Sequence, residues 1–276
     1  TAAIPSSEQP GARELKSALK RLAYNRRNVD ALLDAGNAAL LLGDADAALN
    51  FFRRAENVRP SDGRIKAGLG AALVRQENPF GALEYFDAAT RLGVSPRVIA
   101  LDRGLAFDLL GNFDRAQQDY SLAATGLRSD TLTIRHAISL SLSGKAKESD
   151  DMLTPLLPKN SPAAWRARAF MLAARGDFKD SREVTRGFLN VRAAQRVEPF
   201  LKRMPDLTPA QQAAAIHLGH LPARNIGRDN PRIGIAASRI PATGSLPGAV
   251  RVGGSDRLTP AGRPLGSGEA SATSAA

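Results

Sequence analysis

Apolar residues between Val29 and Pro60 fall at helical spacing in two runs that are separated by a glycine. The first run, Asp30–Leu42, ends at Gly43, and glycine is a common helix terminator. Asp44 can cap a second helix, in which apolar residues recur every three or four positions and which Pro60 ends. These residues are Ala48, Phe52, Ala55 and Val58. The pattern predicts a helix–turn–helix unit.

The same pattern recurs with a period of 34 residues. The recurring residues are the glycines Gly36, Gly70 and Gly104; the aromatics Phe52, Phe86 and Tyr120; and the alanines Ala48, Ala82, Ala116, Ala55, Ala89 and Ala123. A glycine inside a helix costs about 1 kcal/mol relative to alanine, so its repetition indicates that a larger side chain does not fit. A period of this length is typical of helical-hairpin solenoids, which usually serve as binding surfaces.

The columns resemble the tetratricopeptide repeat (TPR). The first unit carries the motif's large, small, aromatic and proline positions as Leu32, Gly36, Ala48, Phe52, Ala55 and Pro60. Lys66 and Val94 depart from the motif in the second unit, and two further units are degenerate, with Ile138 where glycine is expected and Trp165 at a packed position. The resemblance implies an all-α, right-handed superhelical solenoid. Its repeats would cover residues 29–60, 63–94, 97–128, 131–157 and 162–189.

Helices are also predicted on both sides of the repeats. Glu14–Tyr24 has one apolar face and would cap the first hairpin. Ala193–Met204 forms a helix interrupted near Pro199, and Thr208 begins a short helix that runs to Leu218. We expect these helices to close a solenoid that spans residues 12–221.

The two ends of the chain lack apolar periodicity. Residues 222–276 are rich in Gly, Pro, Ser, Ala and Arg, and residues 1–11 resemble them. Such compositions do not bury enough apolar surface to fold. Both segments are predicted to be disordered, the second as a linker or tail.

The composition offers little for catalysis. The chain has no cysteine, which excludes thiol catalysis and disulfides, and no phosphate-binding loop or hydrolase motif is present. His217 and His220 are spaced to share a helix face, but no cysteine or acidic partner stands nearby, so packing or solvated histidines are expected rather than a metal site. We predict no enzyme, no metal and no cofactor.

The net charge of +11 and the pI near 10.6 favour anionic partners. The positive residues are scattered and aromatic residues make up 5%, so stacking platforms for nucleic acid are not evident. Nucleic-acid binding therefore stays an unfavoured alternative, beside acidic proteins, lipid surfaces and anionic envelope polymers.

The TPR resemblance also implies a concave groove lined by the first helix of each hairpin. The predicted partner-binding residues are Asp30, Leu33, Asn37, Arg64, Ala67, Leu101, Leu105, Arg135 and Arg166, and Asp108, Ser139 and Phe170 lie at equivalent positions. The ligand class is an amphipathic helix or an extended peptide with acidic residues. The alternative is that many apolar members of this set pack against neighbouring hairpins. Leu33 stands where relatives that clamp a C-terminal carboxylate have lysine, which argues against that mode.

Several stretches, among them residues 34–40, 164–170 and 204–215, resemble TPR proteins of sphingomonad-type alphaproteobacteria. In those proteins the repeats precede a linker and a peptidoglycan-binding SPOR domain, which is not within this chain. The resemblance implies a non-enzymatic scaffold of the periplasm or cell envelope, and the initial Thr1 suggests a processed chain. The alternatives are a pilus-assembly or secretion scaffold and a cytoplasmic location. The sequence contains no run of 18 apolar residues, so no membrane-spanning helix is predicted.

Overall fold

The structure is a computed structural model that describes residues 11–159, 161–222 and 224–229, all within one compact unit. In these residues the regular structure is entirely helical. The α-helices are α1 (Ala12–Tyr24), α2 (Val29–Leu41), α3 (Ala45–Val58), α4 (Gly63–Arg75), α5 (Pro79–Arg91), α6 (Pro96–Leu109), α7 (Phe113–Ala124), α8 (Asp130–Leu142), α9 (Ala146–Leu153), α10 (Pro162–Ala174), α11 (Phe178–Phe188), α12 (Val191–Arg203) and α13 (Pro209–Leu218). Short 3₁₀ helices follow α9 and α12.

Helices α2 to α11 form five consecutive hairpins, which we number 1 to 5. The two helices of each hairpin pack together, and the second helix also contacts the first helix of the next hairpin. The first helices α2, α4, α6, α8 and α10 contact one another in order and form a common surface, the first-helix face. This arrangement confirms the predicted all-α solenoid of TPR-like hairpins.

Polar caps and positive-φ turns separate the helices. The side chains of Asp44, Asn78 and Asn112 accept a backbone N–H at the start of the second helices of hairpins 1 to 3. The turns inside hairpins 1, 3, 4 and 5 each place a glycine in the left-handed region. Hairpin 2 has Glu77 there, with φ of 57°, a conformation that side chains other than glycine adopt reluctantly.

In hairpins 1 to 3, an aromatic ring of the second helix occupies the space beside a glycine of the first helix. A Cβ built on Gly36 would lie 2.5 Å from the Phe52 ring, and one built on Gly68 of the next hairpin would lie 2.6 Å from the same ring. Gly70 is equally close to Phe86. One phenyl ring therefore fits between glycines of two successive hairpins, which links those hairpins directly.

Hairpins 4 and 5 fill the same space differently. Ile138 and Ala169 stand at the glycine position, and Leu153 and Thr185 stand eight residues after the N-cap, where hairpins 1 to 3 have their aromatic ring. All four are buried. Relative to the glycine–aromatic pair, the first helix of each of these hairpins carries a larger residue and the second helix a smaller one, so aliphatic or small side chains fill the space without a ring.

Helix α9 has eight residues, whereas the second helices of hairpins 1 to 3 have 12 to 14. In hairpin 5, Trp165 is partly buried: the side chain packs against the apolar core and also lines an open groove between α10 and α11. The TPR resemblance places this tryptophan in the packed interior. In the structure its side chain contacts the core but is only partly buried.

The helices outside the hairpins occupy three different places. Helix α1 packs on α2, and α12, with Pro199 inside it, packs on α10 and α11. Helix α13 packs against α6, α8 and α10 instead, so it lies on the first-helix face. Most residues predicted to be disordered, 1–10 and 230–276, lie outside the described residues.

Candidate functional site

The nine predicted partner-binding residues all lie in the first helices. Asp30, Asn37, Arg64 and Arg166 are exposed, Ala67, Leu101 and Arg135 are partly buried, and Leu33 and Leu105 are buried. No contact with a ligand tests them, so their role in binding stays a prediction. The burial of Leu33 and Leu105 matches the alternative in which apolar members pack against neighbouring hairpins.

Ion pairs connect successive first helices. Arg64 of α4 contacts Asp30 of α2 at 3.2 Å and its own N-cap residue Asp62 at 2.7 Å. These interactions raise the pKa of Arg64 and lower that of Asp62. Because the Arg64 guanidinium is exposed, the pair with Asp30 contributes little to stability and remains accessible to a competing anion.

A second group of charges spans hairpins 2 to 4. Asp102 of α6 contacts Arg75 of α4 at 3.2 Å and Arg135 of α8 at 3.0 Å. Burial alone would raise the pKa of Asp102, but the two arginines outweigh it and hold that pKa below its ordinary value. Two guanidinium groups share one carboxylate, so the first-helix face carries an unbalanced positive charge here.

Asp108, near the end of α6, is the centre of a buried polar cluster. Its carboxylate accepts hydrogen bonds from the Tyr120 hydroxyl at 2.7 Å and from the Ser139 hydroxyl at 2.6 Å. Nε2 of His217, on α13, lies 3.0 Å from the same carboxylate. Burial raises the pKa of Tyr120 well above its ordinary value, and the charge of Asp108 adds to that shift.

This cluster differs from a hydrolytic triad in its connections. Ser139 and His217 each contact Asp108, whereas a nucleophile must contact its general base directly. The carboxylate and the histidine side chain are both buried. The geometry is that of a polar joint between α6, α8 and α13.

Helix α13 covers the face through apolar contacts as well. Ala215 and Ile216 are buried in one core cluster with Ile138 of α8 and Met171 of α10, and Phe170 packs against this cluster. Beyond the helix, His220 contacts Glu77, the residue with positive φ in hairpin 2. The C-terminal segment therefore reaches from hairpin 5 to hairpin 2 along the first-helix face.

The residues that follow α13 fold back onto its first turn. The Gln211 side chain donates to the carbonyl of Asn225 at 2.7 Å and accepts from the backbone N–H of Gly227 at 3.0 Å. Thr208 and Gln211 form the predicted helix start as a capping box. Residues 208–229, apart from the undescribed residue 223, thus share local hydrogen bonds around α13.

The sequence indicated the residues of this cluster but missed their association. Asp108 was expected to line an open groove, and His217 and His220 were expected to be solvated or packed in the structure. His217 packs against Asp108, 109 residues away, and His220 contacts a different carboxylate. In the described ranges, no group of three His, Cys, Asp or Glu residues is arranged to hold a metal ion. The signal available in the sequence was a short alanine-rich helix with His217 in its last turn and His220 just beyond its end.

The hairpin contacts define a TPR-like helical repeat protein. No protein-family model matches the chain, and no curated protein matches it significantly in sequence. Among solved structures, the chain is similar to the crystal structure of YrrB, described as a TPR protein with an unusual peptide-binding site. The TM-score is 0.44 and the identity 16%, over 68% of this chain and 99% of that chain. The peptide-binding site is a property of YrrB, and the repeat architecture of this chain rests on its own contacts.

Proposed function

We propose that this chain is a protein-interaction scaffold that binds a peptide or helix on its first-helix face. The observation that carries the proposal is the continuity of the first helices across five hairpins, with exposed polar residues such as Asn37 and Arg64 on hairpins 1 and 2, which α13 leaves uncovered. A repeat array presents such an extended surface because each hairpin adds one helix to it. We assign no catalytic residue, because the buried polar cluster around Asp108 joins helices.

Acidic side chains are the favoured recognition element of the partner. Arg75 and Arg135 share a single carboxylate, and the exposed Arg64 pairs with the exposed Asp30 and with its partly buried N-cap residue Asp62. A carboxylate from a ligand can add to either group without displacing a buried contact. Binding should weaken as salt screens these charges.

The cell envelope is the proposed location, with a connection to the cell wall through a SPOR domain elsewhere in the full-length protein. This proposal is supported by the sequence resemblance to sphingomonad-type envelope proteins and by the lack of cysteine. A pilus-assembly or secretion scaffold is the alternative within the same class. In the part of the chain that the structure describes, no helix is long and apolar enough to cross a membrane.

Site-specific photo-crosslinking in the source cell tests the binding face. A photoreactive amino acid at Asn37, exposed on α2, should capture the same partner protein repeatedly. The matched control is Asn50, which is also exposed but lies on the second helix α3. Equal capture from both positions would contradict binding on the first-helix face, and recovery of a tagged full-length protein in the cytoplasm would contradict the location.

A further inference from the structure

Helix α13 occupies the part of the first-helix face that hairpins 3 to 5 would otherwise expose. Ser139 of hairpin 4 is fully buried, whereas Asn37, at the equivalent position of hairpin 1, is exposed. The covering helix contains four alanines in ten residues, and Ala213 and Ala215 are buried. Small side chains let its backbone approach the underlying helices closely.

The surface beneath α13 has one apolar contact and one polar contact that favour particular side chains in a bound helix. The apolar side chain of Ile216 enters the core cluster, and the adjacent His217 places its imidazole nitrogen on Asp108. Without α13, Asp108 would keep its bonds from Tyr120 and Ser139 but lose the third. A carboxylate at the base of an apolar surface favours a ligand that supplies a hydrogen-bond donor beside an aliphatic residue.

The attachment of α13 is suited to exchange. A ten-residue helix is only marginally stable in water without tertiary contacts, so its position depends on the surface that it covers. It is joined to α12 by the 3₁₀ turn Met204–Asp206 and by Leu207, and it is one of the last elements of the described chain. A competing helix can therefore displace it without disrupting a hairpin.

We propose that the surface of α6, α8 and α10 beneath α13 is a docking site for a partner protein's alanine-rich helix. That helix would carry a hydrogen-bond donor next to a branched aliphatic residue, and α13 holds the site in cis until the partner displaces it. The inference rests on the proposed scaffold function and specifies the partner class. Because a tethered segment competes at an effective concentration in the millimolar range, the intact protein binds such a helix weakly.

A disulfide lock provides the closed reference state. A Cβ built on Gly111 lies 4.0 Å from the Cβ of Ala210, a separation that suits a disulfide, and the chain has no other cysteine. Gly111→Cys/Ala210→Cys would fix the start of α13 on hairpin 3. Gly111 has φ of 71°, so a cysteine there is strained, and the reduced form of the same variant is the matched control.

The open state is obtained with Ile216→Asp/His217→Ala in the full chain. The probe is a fluorescent peptide with the sequence of residues 207–222. We expect the open variant to bind this peptide at least tenfold more tightly than the wild type. The oxidised double-cysteine protein should not bind it, and reduction should restore wild-type binding. A peptide carrying His217→Ala should bind the open variant at least tenfold more weakly, because it lacks the donor to Asp108.

Each contrary outcome has a distinct meaning. Equal affinity of the open, wild-type and locked proteins would place the peptide elsewhere and overturn the docking site. Absence of binding to an open variant that retains its helical circular dichroism would overturn it as well. A concentration-dependent dimer of the wild type that the oxidised double-cysteine protein does not form would assign the site to α13 of a second copy rather than to a separate partner. Photo-crosslinking at Asn37, which lies outside the region that α13 covers, tests the scaffold function independently of these peptide-binding and dimerisation experiments.

Discussion

Hairpins 1 to 3 and hairpins 4 to 5 have the same architecture but achieve it with different residues. The first group pairs a glycine with an aromatic ring, as in Gly70 and Phe86, whereas hairpin 4 has Ile138 and Leu153 at the equivalent positions. The comparison shows that the fold requires a filled space between the two helices and does not require glycine. Motif matching detects the first solution and classifies the second as degenerate.

The two groups also differ in what covers their first helices. Hairpin 1 leaves Asn37 exposed, while α13 lies over hairpins 3 to 5, where Asp108 and Ser139 are fully buried. Hairpin 3 belongs to both groups, because its packing follows the glycine pattern and its Asp108 contacts α13. The weaker agreement of hairpins 4 and 5 with the motif thus coincides with a surface that is adapted to an internal helix.

The largest expected effect comes from breaking the joint between the two groups at Asp108. Asp108→Ala leaves the Tyr120 hydroxyl, the Ser139 hydroxyl and His217 without their acceptor, so the free energy of unfolding should fall by about 3–5 kcal/mol. Urea denaturation monitored by circular dichroism measures it. Asp34→Ala is the control, since its ion pair with Arg21 is exposed and should contribute about 1 kcal/mol or less. Similar losses in both variants would mean that the buried cluster does not join the groups.

The next largest effect is expected when the glycine–aromatic pair of hairpin 2 is replaced by aliphatic residues, as in hairpin 4. Gly70→Ala places a methyl group against the Phe86 ring and should destabilise the protein by about 1–3 kcal/mol, despite alanine's better helix propensity. Phe86→Leu should also destabilise it, by leaving a cavity. The double variant approaches the aliphatic pair of hairpin 4 and should lose at least about 1 kcal/mol less than the sum of the single losses.

The control for this cycle is Gly187→Ala in α11. A Cβ at Gly187 meets no atom within 4 Å, so this substitution should stabilise the protein by about 0.5–1 kcal/mol. Strict additivity of Gly70→Ala and Phe86→Leu would show that the glycine and the ring are not a matched pair.

The smallest effect concerns His136, which lies at the boundary between the groups and packs its ring 5.7 Å from that of Tyr120. Burial lowers the pKa of His136; Asp108 opposes the shift and Lys145 adds to it. The unfolded chain therefore takes up a proton more readily, and the stability that His136 contributes is lost as the pH falls below about 6.5. Urea midpoints between pH 7.5 and 5 should decline less for His136→Gln than for the wild type. Parallel declines would contradict a lowered pKa in the folded state.

The sequence was sufficient for the hairpins because their signals are local. The glycine and aromatic columns, the polar caps and the helix start at Thr208 all lie within a few turns of the structure that they specify. The pairing of Ala169 with Thr185 was not recognised, because a motif that names each position separately does not describe how two positions change together. Gly68 was missed for a similar reason: it contacts Phe52 across hairpins but belongs to no repeated column.

The candidate site was predicted only in part. The repeat resemblance placed Asp108 and Ser139 on first helices, where the structure has them, and a role of these positions in binding stays a prediction. The position of α13 depends on the contact between His217 and Asp108, 109 residues apart, and on apolar contacts of Ile216 with α8 and α10. A single sequence contains no periodic signal for such contacts. Helices that follow a solenoid can extend it, cap it or fold back onto it, and their amphipathic patterns are alike in the three cases.

The return of α13 onto hairpin 3 has a consequence for the order of events during synthesis. His217 follows Ala174, the last residue of α10, by 43 residues, so at about 5–20 residues per second α13 leaves the ribosome roughly 2–9 s after the last helix of the surface that it covers. Hairpins with local contacts fold within milliseconds or faster. The nascent chain therefore presents a folded and uncovered docking surface for several seconds, and a partner helix can bind it in that interval without competition from α13.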